Sequence, residues 1–200
     1  MKEDLKIGFI GAGNIGSAII TGLLNANVPA SNLFVSHPSA DKNKKYKHLN
    51  IANESADNEF VVNSSDVIFL CVKPQIIESV CTSISHLIDP KRHIIISVAA
   101  GVTLQKLESI LTCIKENKLR LVRCMLNTAA LIGSSCSVYS QNGYLGNDDK
   151  ALVNELLSST GPCMGEIKDT DMDAAMAVLS CGIAYHFMMT VSFFCQVIRR

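Results

Sequence analysis

The stretch Ile7-Gly8-Phe9-Ile10-Gly11-Ala12-Gly13-Asn14-Ile15-Gly16, near the amino end of the chain, decides the fold. Its first four residues form a run typical of a buried strand, and the glycines that follow have the spacing G-x-G-x-x-G. Apolar residues then recur at helical spacing over 14–26. Between a strand and a helix, these glycines predict a dinucleotide-binding turn. Gly11 permits the tight turn, Gly13 lets the backbone approach a pyrophosphate, and Gly16 lets the helix pack on the strand.

The same alternation of strand and helix patterns continues along the chain. It predicts an α/β fold with a mostly parallel sheet and helices on both faces. Short apolar runs predict strands at 33–35, 66–72, 94–98, 119–125 and 135–140. Helical periods predict helices at 75–88, 104–114 and 149–159, while the lysine-rich segment 39–50 is typical of a solvated loop or helix face.

Composition and charge exclude several classes of protein. The chain has 200 residues with 18 basic and 18 acidic side chains, so a nucleic-acid binder that depends on a basic surface is excluded. The eight cysteines are at least ten residues apart, which excludes CxxC pairs and zinc knuckles, and we predict no metal site. The first residues resemble neither a secretory signal nor a transit peptide, so we expect reduced thiols and a cytoplasmic protein.

The chain is also more apolar than a free-standing domain requires, with 48% apolar residues and a mean hydropathy of +0.26. Much of that character lies in 174–198, where only His186 can carry a charge. This run is long enough to span a bilayer, and Arg199 and Arg200 follow it as a positive flank. The alternative is a helix covered by a second subunit, which the polar residues within the run favour. We therefore expect a homo-oligomer formed through 174–198, with a membrane anchor as the less favoured reading.

The end of the second strand bears on the choice of cofactor. An NAD-binding site of this kind has an acidic residue there, which binds the ribose 2′-hydroxyl. Here the sequence is Val35-Ser36-His37-Pro38-Ser39, and the nearest acid is Asp41. Lysines at 42, 44 and 45 would attract a 2′-phosphate, unless they only form a solvated face. The sequence therefore favours NADP(H), with NAD(H) as the alternative.

Three further segments follow predicted strands, at the carboxyl ends where open α/β sheets bind ligands. They are Cys71-Val72-Lys73-Pro74, Val98-Ala99-Ala100-Gly101-Val102 and Arg123-Cys124-Met125-Leu126-Asn127-Thr128. Pro74 is expected to stop its strand. The small side chains of the second segment leave room for a nicotinamide ring, and Asn127 and Thr128 are candidates for contacts near the reacting carbon. Each segment alone is more often ordinary strand-end packing, and it is their joint placement at strand ends that favours a site.

These segments, together with Arg92–Thr103 and Leu156–Gly161, resemble the pyrroline-5-carboxylate reductase family over about residues 5–190. The resemblance implies a Rossmann domain at 1–168 and the start of an all-helical dimerisation domain at 169–200. It implies that a hydride passes from the nicotinamide to the C=N carbon of pyrroline-5-carboxylate, a cyclic imino acid, giving proline in the last step of proline biosynthesis. No side chain is assigned as catalytic.

The family's site residues carry over onto particular positions of this chain. Its cofactor contacts fall on Ile10, Gly11, Ala12, Gly13, Asn14, Ile15, His37, Ser39, Asn58, Cys71, Lys73, Pro74, Val98 and Ala100. An acidic side chain that faces substrate in the family falls on Asp169, which replaces a glutamate, and it joins Asn127 and Thr128 as the residues predicted to lie near substrate.

The chain also departs from the family's pattern. Ala129 stands where the family has proline, and Leu179–Tyr185 replaces a Ser-Gly-Ser-Gly-Pro-Ala-Tyr segment. The sequence ends at Arg200, before a Ser-Pro-Gly-Gly-Thr signature that grips the substrate carboxylate in the family. Two hypotheses follow: an NADP(H)-dependent reductase, or a catalytically impaired protein that binds a dinucleotide and forms dimers.

Overall fold

The structure is a computed structural model, and it describes residues 4–37, 49, 51–111 and 118–198, with side chains up to residue 195. The described residues form one eight-stranded sheet in the order β3-β2-β1-β4-β5-β6-β7-β8. Its strands are β1 (Ile7–Ile10), β2 (Leu33–Ser36), β3 (Asn53–Ser55), β4 (Val67–Leu70), β5 (Ile94–Ser97), β6 (Arg120–Met125), β7 (Ser137–Gln141) and β8 (Cys163–Glu166). Neighbouring strands are parallel except β6 and β7, which are antiparallel.

Seven α-helices occur in the described part of the chain. They are α1 (Asn14–Asn25), α2 (Asn58–Ser64), α3 (Ile77–Ile84), α4 (Leu104–Leu111), α5 (Asn147–Ser158), α6 (Met172–Met176) and α7 (Gly182–Ile198). Short 3₁₀ turns precede and follow α3, at Pro74–Ile76 and Ser85–Leu87. The predicted α/β class is thereby confirmed, and the predicted strands and helices are found with shifted ends. The last residues of the helix predicted at 104–114 lie outside the described residues.

Apolar side chains of the sheet face two separate cores because a parallel sheet is covered on both sides. On one face, Phe9 stacks on Phe69 with ring centroids 5.0 Å apart, and this core includes α1 and α5. On the other face, Ile68 and Ile95 pack with α2, α3 and α4. Almost every residue of the central strands is therefore apolar, which explains why short apolar runs located them.

The strand order places the candidate site. β2 and β4 flank β1 on opposite sides. The connection after β1 therefore leads to β2 on one side, and the connection after β4 leads to β5 on the other. A crevice opens at such a switch point, and ligands of open α/β sheets bind there. The turn that contains Gly11 and Gly13 directly follows β1 and therefore lies at this crevice.

The carboxyl-terminal segment is helical, as predicted for 174–198. A π-helical turn at Ala177–Cys181 connects α6 to α7. One continuous helix, Asp169–Cys195, is long and apolar enough to cross a membrane by length and composition, and its most apolar window has no residue buried within the chain. Arg199 and Arg200 lie outside the described residues.

Candidate functional site

The glycine-rich turn is held from both sides by backbone hydrogen bonds. The Gly11 amide donates to the Ser36 carbonyl at 3.0 Å, and the Cys71 amide donates to the Ile10 carbonyl at 2.9 Å. Gly11 has a φ of +83°, and a Cβ there would lie 2.9 Å from both the Cys71 carbonyl oxygen and Val72 Cγ1. The turn itself therefore requires glycine at this position.

Gly13 and Gly16 differ in what surrounds them. A Cβ on Gly16 would lie 2.8 Å from the Gly11 carbonyl oxygen, so this glycine permits the close packing of α1 on the turn. A Cβ on Gly13 would meet no atom of the described chain within 4 Å, and its φ is an ordinary −68°. No contact among the described residues requires a glycine at position 13, whereas a pyrophosphate lying against the backbone would require one.

The amino end of α1 suits an anion. The helix begins at Asn14 without a side-chain cap and without an acidic residue in its first turn. Backbone amides and the positive end of the helix dipole point out of such a terminus. Ile10 and Ala12 are buried beneath the turn, while Asn14 is exposed and Ile15 is half-buried. Gly13 and Asn14 are thus the exposed part of the predicted segment 10–15, while Ile10 and Ala12 pack in the two cores.

The end of β2 forms the next part of the site. Ser36 is fully buried, and its hydroxyl donates to Asn58 Oδ1 at 2.6 Å. The backbone amide of His37, a mostly buried residue, donates to the Ser55 carbonyl at 3.0 Å. The structure thus brings two predicted cofactor positions, His37 and Asn58, to the crevice edge of β2. Ser39 and the lysines at 42, 44 and 45 lie outside the described residues.

The two following strands end beside the turn. Cys71 and Val98 are half-buried, whereas Lys73 and Ala100 are exposed. The expectation that Pro74 stops the strand is wrong: β4 already ends at Leu70, and Pro74 is the first residue of the 3₁₀ turn. Proline suits the first position of a helical turn because the N–H group that it lacks would have no partner within the turn. Its φ is also already fixed near the helical value.

Of the residues predicted to lie near substrate, Asn127 and Thr128 follow β6, and Asp169 begins the carboxyl-terminal helical segment. Asn127 Nδ2 donates to the Leu179 carbonyl at 2.9 Å, and its Oδ1 accepts from the Ala129 amide at 3.0 Å. Thr128 is exposed. Asp169 Oδ2 accepts from the Leu104 amide at 3.3 Å. Asn127 and Asp169 therefore connect the sheet to the carboxyl-terminal helix, and contact with substrate remains a prediction for both.

Arg123 was not predicted as a site residue. Its side chain is 1% exposed and bridges two carboxylates, with Nη1 3.1 Å from Asp169 Oδ1 and Nη2 2.7 Å from Asp173 Oδ1. The sequence did contain a signal, because a charged residue inside the otherwise apolar end of a central strand needs a buried partner. The partners could not be identified from the sequence because Asp169 and Asp173 are 46 and 50 residues away from Arg123.

The buried thiols are poor nucleophiles. Burial raises the pKa of Cys71 and of Cys81 to about 12, so both are protonated at neutral pH. No group of three or more His, Cys, Asp or Glu residues that could hold a metal ion occurs within the described ranges. The raised pKa values favour a site that binds and orients a ligand over one built on a thiolate at Cys71 or Cys81.

The raised pKa values predict the order in which cysteines react with iodoacetamide at pH 8. Cys136 is half-buried, lies outside the segment proposed to be covered in the oligomer and should react first; the half-buried Cys71 should follow, and the fully buried Cys81 should react last. A thiol with a pKa near 12 is about 10⁻⁴ thiolate at that pH, so we expect Cys81 to react at least about 100-fold more slowly than Cys136. Peptide mapping by mass spectrometry measures the three rates. Equal rates in the folded protein would contradict the prediction, and equal rates in urea are the control.

A groove lies at the opposite end of the sheet, where the parallel strands begin. Two ion pairs line it: Arg92 with Asp66 at 2.9 Å and Arg120 with Asp149 at 3.0 Å. Ligands of this fold bind at the carboxyl ends of the strands, so we place the functional site at the glycine-rich turn and not in this groove.

The chain is similar to known oxidoreductases. A family model described as "NADP oxidoreductase coenzyme F420-dependent" matches residues 6–101. The pyrroline-5-carboxylate reductase of Corynebacterium melassecola is 31% identical over 186 residues, covering 92% of this chain and 67% of that protein. The enzyme of the same name from Pasteurella multocida is 37% identical over 187 residues, covering 92% and 66%. The chain thus spans about two thirds of the length of these relatives.

Solved structures show the same similarity. Plasmodium falciparum pyrroline carboxylate reductase with NADP bound is 32% identical, with a TM-score of 0.84 over 98% of this chain and 70% of that one. A pyrroline-5-carboxylate reductase from Coxiella burnetii has a TM-score of 0.87 at 26% identity, covering 94% and 68%. Prephenate dehydrogenase from Aquifex aeolicus, at 13% identity and a TM-score of 0.69, shares the fold.

Proposed function

Because the chain belongs to the pyrroline-5-carboxylate reductase family, we propose that it is an NADP(H)-dependent oxidoreductase that reduces 1-pyrroline-5-carboxylate to L-proline. The observation that carries the proposal is the opening at Gly13, where a glycine that the fold does not need lies at the switch point of the sheet. Reduced nicotinamide, when bound, supplies the hydride for the C=N carbon. The chain's own residues bind and orient the reactants.

Each part of the crevice has a task under this proposal. The turn around Gly13 and the first amides of α1 bind the pyrophosphate. His37 and Asn58 lie beside the adenosine end, and β2 with His37 has no acidic side chain that would repel a 2′-phosphate. Val98 and Ala100 present little side-chain volume to the nicotinamide ring. The end of β6, with Asn127 and Thr128, then borders the space where a small imino acid would meet the ring.

A second candidate is a protein that binds the dinucleotide without turnover. It is favoured by the hydrogen bonds at the end of β6, where Asn127 and Asp169 already bind groups of the same chain. Those bonds would have to break or be shared before either side chain could bind substrate. The two candidates therefore agree about NADPH and differ about the imino acid.

The two candidates separate in a pair of measurements on the purified chain. Titration calorimetry with NADPH tests the cofactor site, and NADPH oxidation with pyrroline-5-carboxylate tests the reaction. Binding with turnover supports the reductase, whereas binding without turnover at saturating substrate supports the second candidate. Failure of the folded protein to bind NADPH would remove both.

We also propose a cofactor domain at 1–168 and, at 169–200, a helical segment that forms a homo-oligomer in the cytoplasm. Phe187, Met188, Phe193 and Phe194 on α7 are all at least 60% exposed in the single chain. An apolar surface of this kind is typical of an interface between subunits. A bilayer would cover the same residues, so recovery of a soluble oligomer without detergent distinguishes the two environments.

If α7 forms the interface between subunits, negative charges placed on its apolar surface should dissociate the oligomer. Phe187→Glu with Phe194→Glu places two carboxylates one heptad apart, so we expect the oligomer to dissociate to monomers by light scattering. The matched control is Ser79→Glu, which adds a carboxylate to an exposed position of α3 and should leave the mass unchanged. A wild-type chain that is monomeric in solution, or a double variant that keeps the wild-type mass, would contradict the proposal.

A further inference from the structure

The connection between β5 and α4, residues 98–103, begins and ends beside one ion pair. It leaves β5 after Ser97, whose Cα is in register with Arg123 on the neighbouring strand β6. It ends at Leu104, whose amide donates to Asp169 Oδ2 at 3.3 Å. The other oxygen of that carboxylate, Oδ1, lies 3.1 Å from Nη1 of the same Arg123. The pair of Arg123 and Asp169 therefore borders the connection on both sides.

Asp169 caps α4 from a distant part of the chain. Leu104 is the first residue of α4, and the first amides of a helix have no acceptor within the helix itself. The hydroxyl of the preceding Thr103 accepts from a different amide, that of Lys106, at 3.2 Å. Asp169, which is 65 positions from Leu104 in the sequence, supplies the acceptor for the first amide. Its negative charge also interacts favourably with the positive end of the helix dipole.

Between its two ends the connection makes a tight turn. Gly101 has a φ of +73°, and the Val102 amide donates to the Ala99 carbonyl at 3.4 Å. Ala100 lies within this turn and is exposed. The position of Ala100 at the carboxyl end of the sheet therefore depends on how the connection is held where it meets α4, as well as where it leaves β5.

We propose that Asp169 is a positioning residue that holds the connection 98–103 against the nicotinamide ring by binding the Leu104 amide. The inference rests on the proposed function, since it requires that the ring binds beside Val98 and Ala100. Its effect on the cofactor passes through the Leu104 amide and requires no contact between Asp169 and the dinucleotide. The carboxyl-terminal segment, which begins at Asp169, thereby takes part in shaping the nicotinamide end of the crevice.

The test compares NADPH with 2′-phospho-ADP-ribose, which is the same molecule without the nicotinamide ring. Calorimetry measures the Kd of both ligands and needs no turnover. Asp169→Ala should weaken NADPH binding about fivefold, as expected for the loss of one hydrogen bond, and binding of 2′-phospho-ADP-ribose less than about twofold. The loss stays moderate because Leu104 remains packed in the core. A general loss of structure would instead weaken the binding of both ligands equally.

Asp173→Ala is the matched control. Asp173 also binds Arg123, with Oδ1 2.7 Å from Nη2, but among the described contacts only Asp169 binds the Leu104 amide. The control variant should therefore leave the ratio of the two affinities unchanged. Hydrogen exchange of the Leu104 amide, followed by NMR without ligand, provides the second measurement. The exchange should be faster in Asp169→Ala and unchanged in Asp173→Ala.

Several outcomes would overturn the inference while the proposed function stands. They are an unchanged ratio of affinities or an unchanged exchange rate in Asp169→Ala, and an equal change of the ratio in Asp173→Ala. A wild-type chain that binds NADPH no more tightly than 2′-phospho-ADP-ribose would also overturn it, because the ring would then gain nothing from the connection. If the folded wild-type chain binds neither ligand, the proposed function fails and the inference fails with it.

Discussion

Gly13→Ala is expected to weaken NADPH binding about 100-fold while changing the free energy of unfolding by less than about 1 kcal/mol. The alanine Cβ would meet no atom of the described protein within 4 Å, and the backbone there has an ordinary φ. The methyl group would instead occupy the space of the pyrophosphate and push it away from the first amides of α1. Two lost charge-assisted hydrogen bonds of about 1.5 kcal/mol each account for the expected loss of affinity.

Gly11→Ala is the matched control, because it alters the same turn for a different reason. Its φ of +83° and the 2.9 Å approach to the Cys71 carbonyl oxygen make any side chain there strained. We therefore expect Gly11→Ala to lower stability as well as affinity, with urea unfolding and calorimetry as the two measurements. The interpretation of Gly13 would fail if Gly13→Ala bound NADPH as tightly as the wild type, or if it destabilised the protein as much as Gly11→Ala.

Arg123→Met is expected to lower the free energy of unfolding by about 2–3 kcal/mol. The guanidinium is 1% exposed and binds Asp169 and Asp173, which begin the carboxyl-terminal helix. Its removal leaves two neighbouring carboxylates without a cation. The cost stays below that of a fully buried pair because Asp169 and Asp173 are 28% and 72% exposed and can bind water instead.

The position of Arg123 predicts where the damage appears. The variant should expose the segment after Glu166 to protease first, while the cofactor crevice around Gly13 keeps its affinity for 2′-phospho-ADP-ribose. Arg92→Met is the control, since it breaks the part-exposed pair with Asp66 and should cost less than about 1 kcal/mol. Equal losses in the two variants would show that burial of Arg123 adds nothing to its ion pairs.

The cofactor turn and the central strands were predictable because their signals are local. The run Ile7–Ile10 is apolar throughout because both faces of β1 are covered, and the glycines follow it without interruption. The two edge strands were not predicted. Asn53–Ser55 contains no apolar residue and Cys163–Glu166 contains a glycine, because each is only partly covered and pairs on one side alone.

The residues of the candidate site also fall into those that a local sequence signal predicts and those that it does not. Residues that touch a ligand through the backbone, such as Gly13, follow from a short motif. Residues that act through a distant partner do not: Ser36 pairs with Asn58 across 22 positions, and Arg123 pairs with Asp169 across 46. Nothing in the spacing of such residues indicates contact, because the sheet that brings them together must form first.

By itself the sequence determined the α/β class, the dinucleotide-binding turn, the strands that end at the crevice and the apolar helix after Asp173. These features depend on periodicity and on residue types within a few positions of each other. Only the tertiary structure decided that an added Cβ would have free space at Gly13 but would clash at Gly11 and Gly16. It also decided that Ser36 binds Asn58 and that Arg123 connects the carboxyl-terminal helix to the sheet. Packing distances and buried hydrogen bonds arise from parts of the chain that meet only after folding, so they are properties of the assembled sheet and helices.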